Sequence, residues 1–410
     1  MNTHIQGFLA ASVLALIGLS ATAQEIVYTP IPPGFDFPAD EKALLDALKA
    51  GDESKLRLHG WMVFAGLTQP ARPSDPASEA LWETWYTGED VFSAAASPQG
   101  VRTLKRKLEL PRQFSPHGGA QPQAVGESQL AFTLFNQELK DHTRSNKLHL
   151  KATMKAINDG WTAQTPGKDR KVKDYPAMAM SLKLVWMLVS KQSKTPLPIW
   201  DEQPLVASAP PQDVPTWKRK VAVDPSRETI PSGETFDFPG FPKSRVVPLK
   251  AFYHFAMDAS QAASFGMSEG DYAVLVAMHY TTKEIPNWVW ATFWWHDQPN
   301  DGPFAKDRLD EAKLKGPWRN YLMDVAYDMD LPKESDGTPN AVFNPWLEAR
   351  FDNGVNSNCM TSHQRAVWSQ ANPIGSFLPV TRGAVPDNDP IFRNGTKADF
   401  LWSLLREGNQ

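Results

Sequence analysis

The chain has 410 residues, with 42 Lys and Arg against 46 Asp and Glu, and therefore a formal net charge of −4. Its 41% hydrophobic and 21% charged residues are typical of a globular protein that buries a sizeable core. The mild acidity gives no electrostatic reason to bind nucleic acid or an anionic membrane surface, and we expect neither as a partner. Two excesses, 15 Trp and 35 Pro, favour long ordered connections packed over a rigid core.

Residues 1–23 are typical of a secretory signal peptide. An apolar run from Phe8 to Leu19 is followed by Ala21-Thr22-Ala23, which has the small-x-small form of a cleavage site. The apolar run is short for a membrane span, and no later segment reaches 18 uninterrupted apolar residues. We therefore expect export to the periplasm, with no membrane insertion after cleavage. An uncleaved lipid or membrane anchor is the alternative.

Residues 39–160 are predicted to be mainly helical. Asp40 to Lys49 reads as a short helix with Gly51 just beyond its end, and Trp61, Phe64 and Leu67 have helical spacing in the next one. A weaker helical pattern covers 78–92, and 95–127 reads as a long loop. Two more helices are predicted between 128 and 158, the first through Leu130, Leu134 and Phe135, the second through Leu150, Met154 and Ile157.

Residues 175–300 are predicted to be rich in strands. Residues 178–189 read as a buried strand, and the Pro-rich stretch 196–243 as a long connection. The runs 245–257, 272–282 and 287–296 suggest an antiparallel meander. Side chains on both faces of the last run are bulky, so we expect that strand to be covered on both sides.

Residues 301–410 are predicted to be rich in loops, with a short helix at 362–370 and a closing strand at 400–405. The complete prediction is a single large α+β domain over residues 24–410. Its N-terminal helical part packs on a central antiparallel sheet, and its loop-rich C-terminal segment carries the motif described next.

The only cysteine of the chain, Cys359, carries most of the functional information. A single cysteine excludes an internal disulfide, and an unpaired thiol in an exported protein needs an explanation. The segment Cys359-Met360-Thr361-Ser362-His363 differs at one position from Cys-x-x-Cys-His, the c-type haem attachment motif. In that motif two thiols bond to the haem vinyl groups and the histidine binds the iron. Because Ser362 stands at the second cysteine position, at most one thioether can form.

The neighbouring sequence resembles that of exported bacterial proteins known as the cytochrome c family proteins. The resemblance rests on the segment Asn356 to Ala366 and on four further blocks: Leu81 to Tyr86, Leu197 to Asp201, Trp288 to Phe293 and Asp399 to Ser403. It implies a haem c attached through Cys359, with His363 as the proximal iron ligand and with Met360 and Ser362 inside the haem-binding segment. If haem is bound, we expect one-electron transfer or chemistry with a small ligand or peroxide, and a periplasmic redox partner. Whether the protein is an enzyme stays open.

The sequence leaves several alternatives open. One is a chain that has lost haem and kept its fold as a non-catalytic binding protein, and another is a catalytic thiolate–imidazole pair formed by Cys359 and His363. His279 is a candidate for the distal iron ligand, and an open sixth position is the alternative. The other candidates are His254, His296, Met267, Met323 and Met360. Motifs for nucleotide binding, serine hydrolysis and zinc proteolysis are absent from the sequence.

Overall fold

The structure is a computed structural model that describes residues 25–95, 100–104, 106, 108–109, 129–162, 164–201, 212–229, 232–373, 375 and 381–406. It mixes helices with mainly antiparallel sheets, which confirms the coarse fold class. The predicted signal peptide lies outside the described residues. Within these ranges, no helix has both the length and the apolar character needed to cross a membrane.

The helices are short, apart from the second. Their bounds are α1 Glu41–Ala50, α2 Glu53–Leu67, α3 Gly88–Phe92, α4 Gln137–Ser145, α5 Lys151–Asp159, α6 Ala259–Ala263, α7 Cys359–Gln364 and α8 Trp402–Arg406.

The strands differ widely in length, from two residues to eleven. Their bounds are β1 Glu25–Ile26, β2 Tyr86–Thr87, β3 Arg102–Thr103, β4 Leu130–Phe135, β5 Met180–Val189, β6 Thr195–Ile199, β7 Arg219–Asp224, β8 Thr235–Phe238, β9 Phe241–Pro248, β10 His254–Ala256, β11 Tyr272–Thr282, β12 Val289–Trp295, β13 Tyr321–Ala326, β14 Val367–Trp368 and β15 Thr396–Lys397.

The largest sheet of the described chain has seven strands in the order β13-β12-β11-β5-β4-β2, with β10 also paired to β11. All of these pairings are antiparallel. A second sheet has the order β6-β7-β9-β8 and includes one parallel pair, β7 with β9. Two ribbons, β1 with β3 and β14 with β15, complete the pairing.

Helix α2 covers one face of the large sheet. The Asp52 carboxylate caps its N-terminus by accepting a hydrogen bond from the amide of Lys55, and most of its side chains are buried. Phe64 stacks on Phe293 of β12, with ring centroids 4.0 Å apart. Helix and sheet approach closely at Gly60, where a Cβ atom would lie 2.8 Å from a Val325 methyl group.

The C-terminal segment covers the opposite face of the same sheet. The side-chain amide of Asn344 donates a 2.7 Å hydrogen bond to Thr292 of β12, and the ring of Trp290 contacts that of His363. Every residue of β12 is buried. The expectation that this strand is covered on both sides is therefore confirmed.

Several N-terminal predictions are confirmed and two are wrong. The helices predicted at 40–49, around Trp61 and around Met154 are present as α1, α2 and α5. Leu130, Leu134 and Phe135 instead lie in strand β4, because pairing with β5 and β2 outweighs their helical spacing. The helix predicted at 78–92 is divided into a 3₁₀ turn at Leu81–Thr84, strand β2 and helix α3. The loop predicted at 95–127 lies mostly outside the described residues.

The middle of the chain also departs from prediction. The buried strand predicted at 178–189 is β5, and the strands at 272–282 and 287–296 are β11 and β12. The Pro-rich stretch 196–243 was expected to be a connection, yet β6, β7, β8 and the start of β9 lie in it. The run 245–257 is not one strand, because β9 belongs to the small sheet and β10 to the large one.

Near the C-terminus, the predicted helix and the predicted closing strand are both shifted. Helix α7 begins at Cys359, earlier than expected, and ends at Gln364, after which β14 pairs with β15. The segment predicted as a strand at 400–405 contains helix α8. The Leu401 amide bonds the Ala398 carbonyl, so the chain turns there before the helix.

Candidate functional site

Helix α7 carries the cysteine and the histidine of the haem-like motif. Asn358 caps it, since its side-chain oxygen accepts a 2.9 Å hydrogen bond from the amide of Met360. A bridge between Asn358 and Val342 ties the start of the helix to the preceding segment. Cys359 and His363 are four residues apart, so the helix places them on one face.

The Cys359 thiol is buried and hydrogen-bonded. Its side chain is 7% exposed, and Sγ donates to the carbonyl oxygen of Val342 at 3.2 Å. Burial, together with the negative charges of Glu348 and Asp324, raises its pKa well above the ordinary value. The thiol is therefore protonated at neutral pH. This geometry gives no support to a catalytic thiolate–imidazole pair, which needs a lowered pKa.

His363 has one ring nitrogen fixed by the backbone. Its Nδ1 lies 2.7 Å from the carbonyl oxygen of Phe400. Because a carbonyl oxygen only accepts, Nδ1 carries the proton and Nε2 of the neutral ring keeps its lone pair. Burial lowers the pKa of His363 to about 4, although the bond to Phe400 opposes the shift, so the ring is neutral at pH 7. Iron- and zinc-binding histidines are usually held in this way.

His279, the predicted distal ligand, lies on β11 and is also held neutral. Burial lowers its pKa well below the ordinary value, and the charges of Lys183 and His363 add to the effect. The two imidazoles are therefore within electrostatic reach of each other. Nδ1 of His279 is buried and has no hydrogen-bond partner among the described residues. A buried ring nitrogen without a partner is uncommon and is compatible with a role as a ligand.

His279 and His363 lie on the same side of the large sheet. His279 pairs with Thr292 of β12, two residues from Trp290, and the centroid of the Trp290 ring is 4.2 Å from that of His363. Burial dominates the pKa of both rings, although both side chains are half-buried rather than fully covered. Lys183, which pairs with His279 across β5 and β11, is half-buried as well.

The other proposed axial ligands are held elsewhere. Nδ1 of His254 bonds the carbonyl oxygen of Phe252, and His296 lies 3.3 Å from the Arg219 guanidinium. Met323 packs beneath α2, near Gly60. Met360 lies on α7 itself, and its side chain is completely buried in the core. Of the predicted histidine candidates, the structure brings His279 towards His363.

Ser362 stands where the haem motif has its second cysteine. Its Oγ is buried and has no hydrogen-bond partner among the described residues. A hydroxyl without a partner at this depth is unfavourable, whereas a thiol or a thioether needs none. The surroundings of position 362 therefore favour the thiol of a cysteine over the hydroxyl of the serine that is present.

A cavity of about 520 Å³ adjoins α7 on the side of Gln364 and Phe400. Its wall contains both signs of charge, among them the buried ion pair of Lys283 with Asp399. Sequence reasoning did not find this pair or the Phe400 carbonyl. Asp399 and Phe400 are nevertheless part of one of the blocks that carry the family resemblance. Trp290 is part of another, so two distant blocks meet at His363.

Some features of this site are shared with haem sites and others are not. A neutral imidazole with a fixed Nδ1 proton, a second imidazole on the same side of the sheet and a tryptophan ring against the first are present. A thioether at Cys359, however, requires Sγ to leave the Val342 carbonyl, and the lining of the cavity of about 520 Å³ includes neither Cys359 nor either of the two histidines. No group of three or more His, Cys, Asp or Glu among the described residues is arranged to hold a metal ion. A haem iron needs only one or two protein ligands.

Comparison with known proteins adds no identification. No protein-family model, curated protein or solved structure matches the chain.

Proposed function

We propose that this chain is a c-type-cytochrome-like protein of the periplasm that carries one haem c, joined by a single thioether to Cys359 and ligated by His363. The observation that carries the proposal is the hydrogen bond from Nδ1 of His363 to the Phe400 carbonyl. It leaves Nε2 as an electron-pair donor on the side of the sheet where His279 also lies. Bound haem would supply one-electron transfer or chemistry with a small ligand such as peroxide.

Each residue has a defined part in this proposal. The Phe400 carbonyl keeps the proton on Nδ1 and fixes the plane of the ring. Trp290 excludes water from one side of the imidazole. His279 is neutral at pH 7 and would be the second imidazole available to the iron. A periplasmic redox partner would be needed to exchange electrons.

The finer domain description belongs to the same proposal. Residues 24–410 form one α+β domain in which the helical part, 39–160, packs on the central sheet within 175–300. The segment 301–410 closes the site against the sheet face opposite α2. The contacts of Asn344 with Thr292 and of His363 with Trp290 support this arrangement.

The test is the colour of the purified protein. The full precursor is expressed in a host that has a haem-attachment system, and its absorption spectrum is recorded. We expect a Soret band that survives acid–acetone extraction and a pyridine haemochrome typical of one saturated vinyl group. The variant His363→Ala should keep the attached haem but shift the band, because the iron loses this ligand while the thioether at Cys359 remains. His254→Ala is the matched control, because its Nδ1 also bonds a backbone carbonyl, at 2.9 Å, but away from α7.

A second candidate is a haem-less descendant that acts as a non-catalytic binding protein. The observation that favours it is the Cys359 thiol, which already has a hydrogen-bond acceptor in Val342 and is buried among core residues. A colourless wild-type protein that becomes red on Ser362→Cys would support this candidate and reject the first. A protein that stays colourless in both forms would reject haem binding altogether.

A further inference from the structure

The chain around Asp399 and Phe400 has an unusual backbone. Both residues have positive φ, 48° and 67°, and neither is glycine. Aspartate tolerates this left-handed region, but a bulky residue such as phenylalanine rarely adopts it. Such conformations persist where the surrounding contacts impose them, and they concentrate at functional sites. The Phe400 carbonyl that bonds His363 belongs to this strained corner.

The contacts that hold the corner come from Lys283 and Tyr175. The Lys283 ammonium lies 2.6 Å from one carboxylate oxygen of Asp399 and 2.7 Å from the carbonyl oxygen of Pro286. The other oxygen of Asp399 accepts a hydrogen bond from the amide of Tyr175. Lys283 is 8% exposed and Asp399 is 6% exposed. A buried carboxylate with both oxygens bonded has little freedom, so it fixes the backbone that follows it.

We propose that the Lys283–Asp399 ion pair is the positioning element for His363. By holding the corner at Asp399 and Phe400, the pair aims the Phe400 carbonyl at Nδ1 and thereby selects the tautomer that has a free Nε2. Asp399 does not touch the imidazole and acts through the backbone of Phe400. The use of Nε2 as an iron donor rests on the proposed function. The tautomer of His363 does not, because the haem-free chain already sets it.

The tautomer can be read directly by NMR. The mature chain is labelled with ¹⁵N at histidine, and long-range ¹H–¹⁵N spectra are recorded at pH 7 without haem. The His363 resonances are assigned with His363→Gln. In the wild type we expect a single pattern, with Nδ1 protonated and Nε2 unprotonated. Imidazole in water prefers the opposite tautomer, so a loosened His363 should move towards the Nε2–H form.

Three variants of the pair test the mechanism. Asp399→Ala removes the anchor and should lose the Nδ1–H pattern, and Lys283→Met should weaken it. Asp399→Asn keeps a side-chain oxygen and a residue that tolerates positive φ, so it should retain more of the pattern than alanine does. The matched control is Asp224→Ala, which removes another buried carboxylate that pairs with a lysine, Lys194, at 2.8 Å.

The His296 resonances report whether the variants remain folded, because that ring lies by Arg219 and bonds the Gln298 amide. If Asp399→Ala keeps the wild-type His363 pattern while folded, the positioning role is rejected. If Asp399→Ala unfolds, Lys283→Met decides instead: a folded Lys283→Met with the full wild-type His363 pattern rejects the positioning role. Absence of colour in the haem test leaves this result unaffected, so the two proposals fail separately.

Discussion

Nδ1 of His363 donates a 2.7 Å hydrogen bond to the carbonyl oxygen of Phe400, which lies 37 residues further along the chain. This contact joins α7 to the turn that precedes α8, and it determines which nitrogen of the ring is free. The same turn contains Asp399, whose carboxylate is paired with Lys283. The chemistry available at α7 is therefore set by a segment that is distant in sequence.

Replacing Cys359 separates attachment of haem from its binding. In Cys359→Ser the hydroxyl can still donate to Val342, so we expect a folded protein destabilised by about 1 kcal/mol. A hydroxyl forms no thioether, and any remaining haem should be extracted by acid–acetone. The measurement is the Soret absorbance before and after extraction. Haem that resists extraction from this variant would contradict attachment at Cys359.

Ser362→Cys restores the second thiol of the motif. Because the Ser362 hydroxyl is buried and has no partner in the described chain, replacing it with sulfur should change the free energy of unfolding by no more than about 1 kcal/mol. We expect the haem content to rise and the pyridine haemochrome to shift to that of two saturated vinyl groups. Ser357→Cys, a buried serine earlier in the same segment, is the control and should leave the haemochrome unchanged.

His279→Leu distinguishes a ligand from a buried core residue. Removing a ring nitrogen without a hydrogen-bond partner should stabilise the haem-free chain by about 1 kcal/mol, measured by urea unfolding. In the haem-bound protein, loss of a second axial nitrogen should change the spectrum from low-spin to high-spin. An unchanged spectrum would show that His279 is not the distal ligand.

The stability of the haem-free chain should depend on pH through His363. Its pKa is lowered from 6.5 to about 4 in the folded state, so between these values the unfolded chain binds more protons. Stability therefore falls as the pH is lowered from 6.5 to 4, by about 3 kcal/mol for this residue. Urea unfolding across this range should show a smaller fall in His363→Gln. Equal slopes in the two proteins would rule out this contribution.

Packing of α2 on the sheet can be tested away from the site. Phe64 is fully buried and stacks on Phe293, so Phe64→Ala should cost about 3–5 kcal/mol of unfolding free energy. On the same helix Leu58 is 45% exposed, and Leu58→Ala should cost no more than about 0.5 kcal/mol. Similar losses from the two variants would contradict the packing of this helix.

The local sequence pattern was sufficient to predict a helix or a strand whose own residues mark its limits. Helix α1 has a capping aspartate at 40 and a glycine with φ of 68° at 51, and its C-terminal end was predicted from Gly51. Strands β5 and β11 are long apolar runs with clear limits. In such segments a cap or a continuous apolar run fixes the structure before distant contacts form.

Other segments were mistaken because their partners are distant in the chain. The Pro-rich stretch 196–243 was predicted to be a connection, but β6 is at the edge of its sheet, and Pro196 and Pro198 alternate with residues that can donate hydrogen bonds to β7. Strand β4 has helical spacing, and its pairing with β5 determines its conformation. The chain turns at Asp399 and Phe400, and α8 follows within the segment 400–405 that was predicted to be a strand.

By itself, the sequence determined the residue types of the candidate site: one thiol, one imidazole four positions later, and a serine between them. These are covalent facts that do not depend on folding. Only the tertiary structure decided the direction of each donor. It turned the Cys359 thiol towards Val342, protonated His363 on Nδ1 through Phe400, and left a nitrogen of His279 without a partner in the described chain. Hydrogen-bond direction and burial depend on segments that come together only when the chain folds.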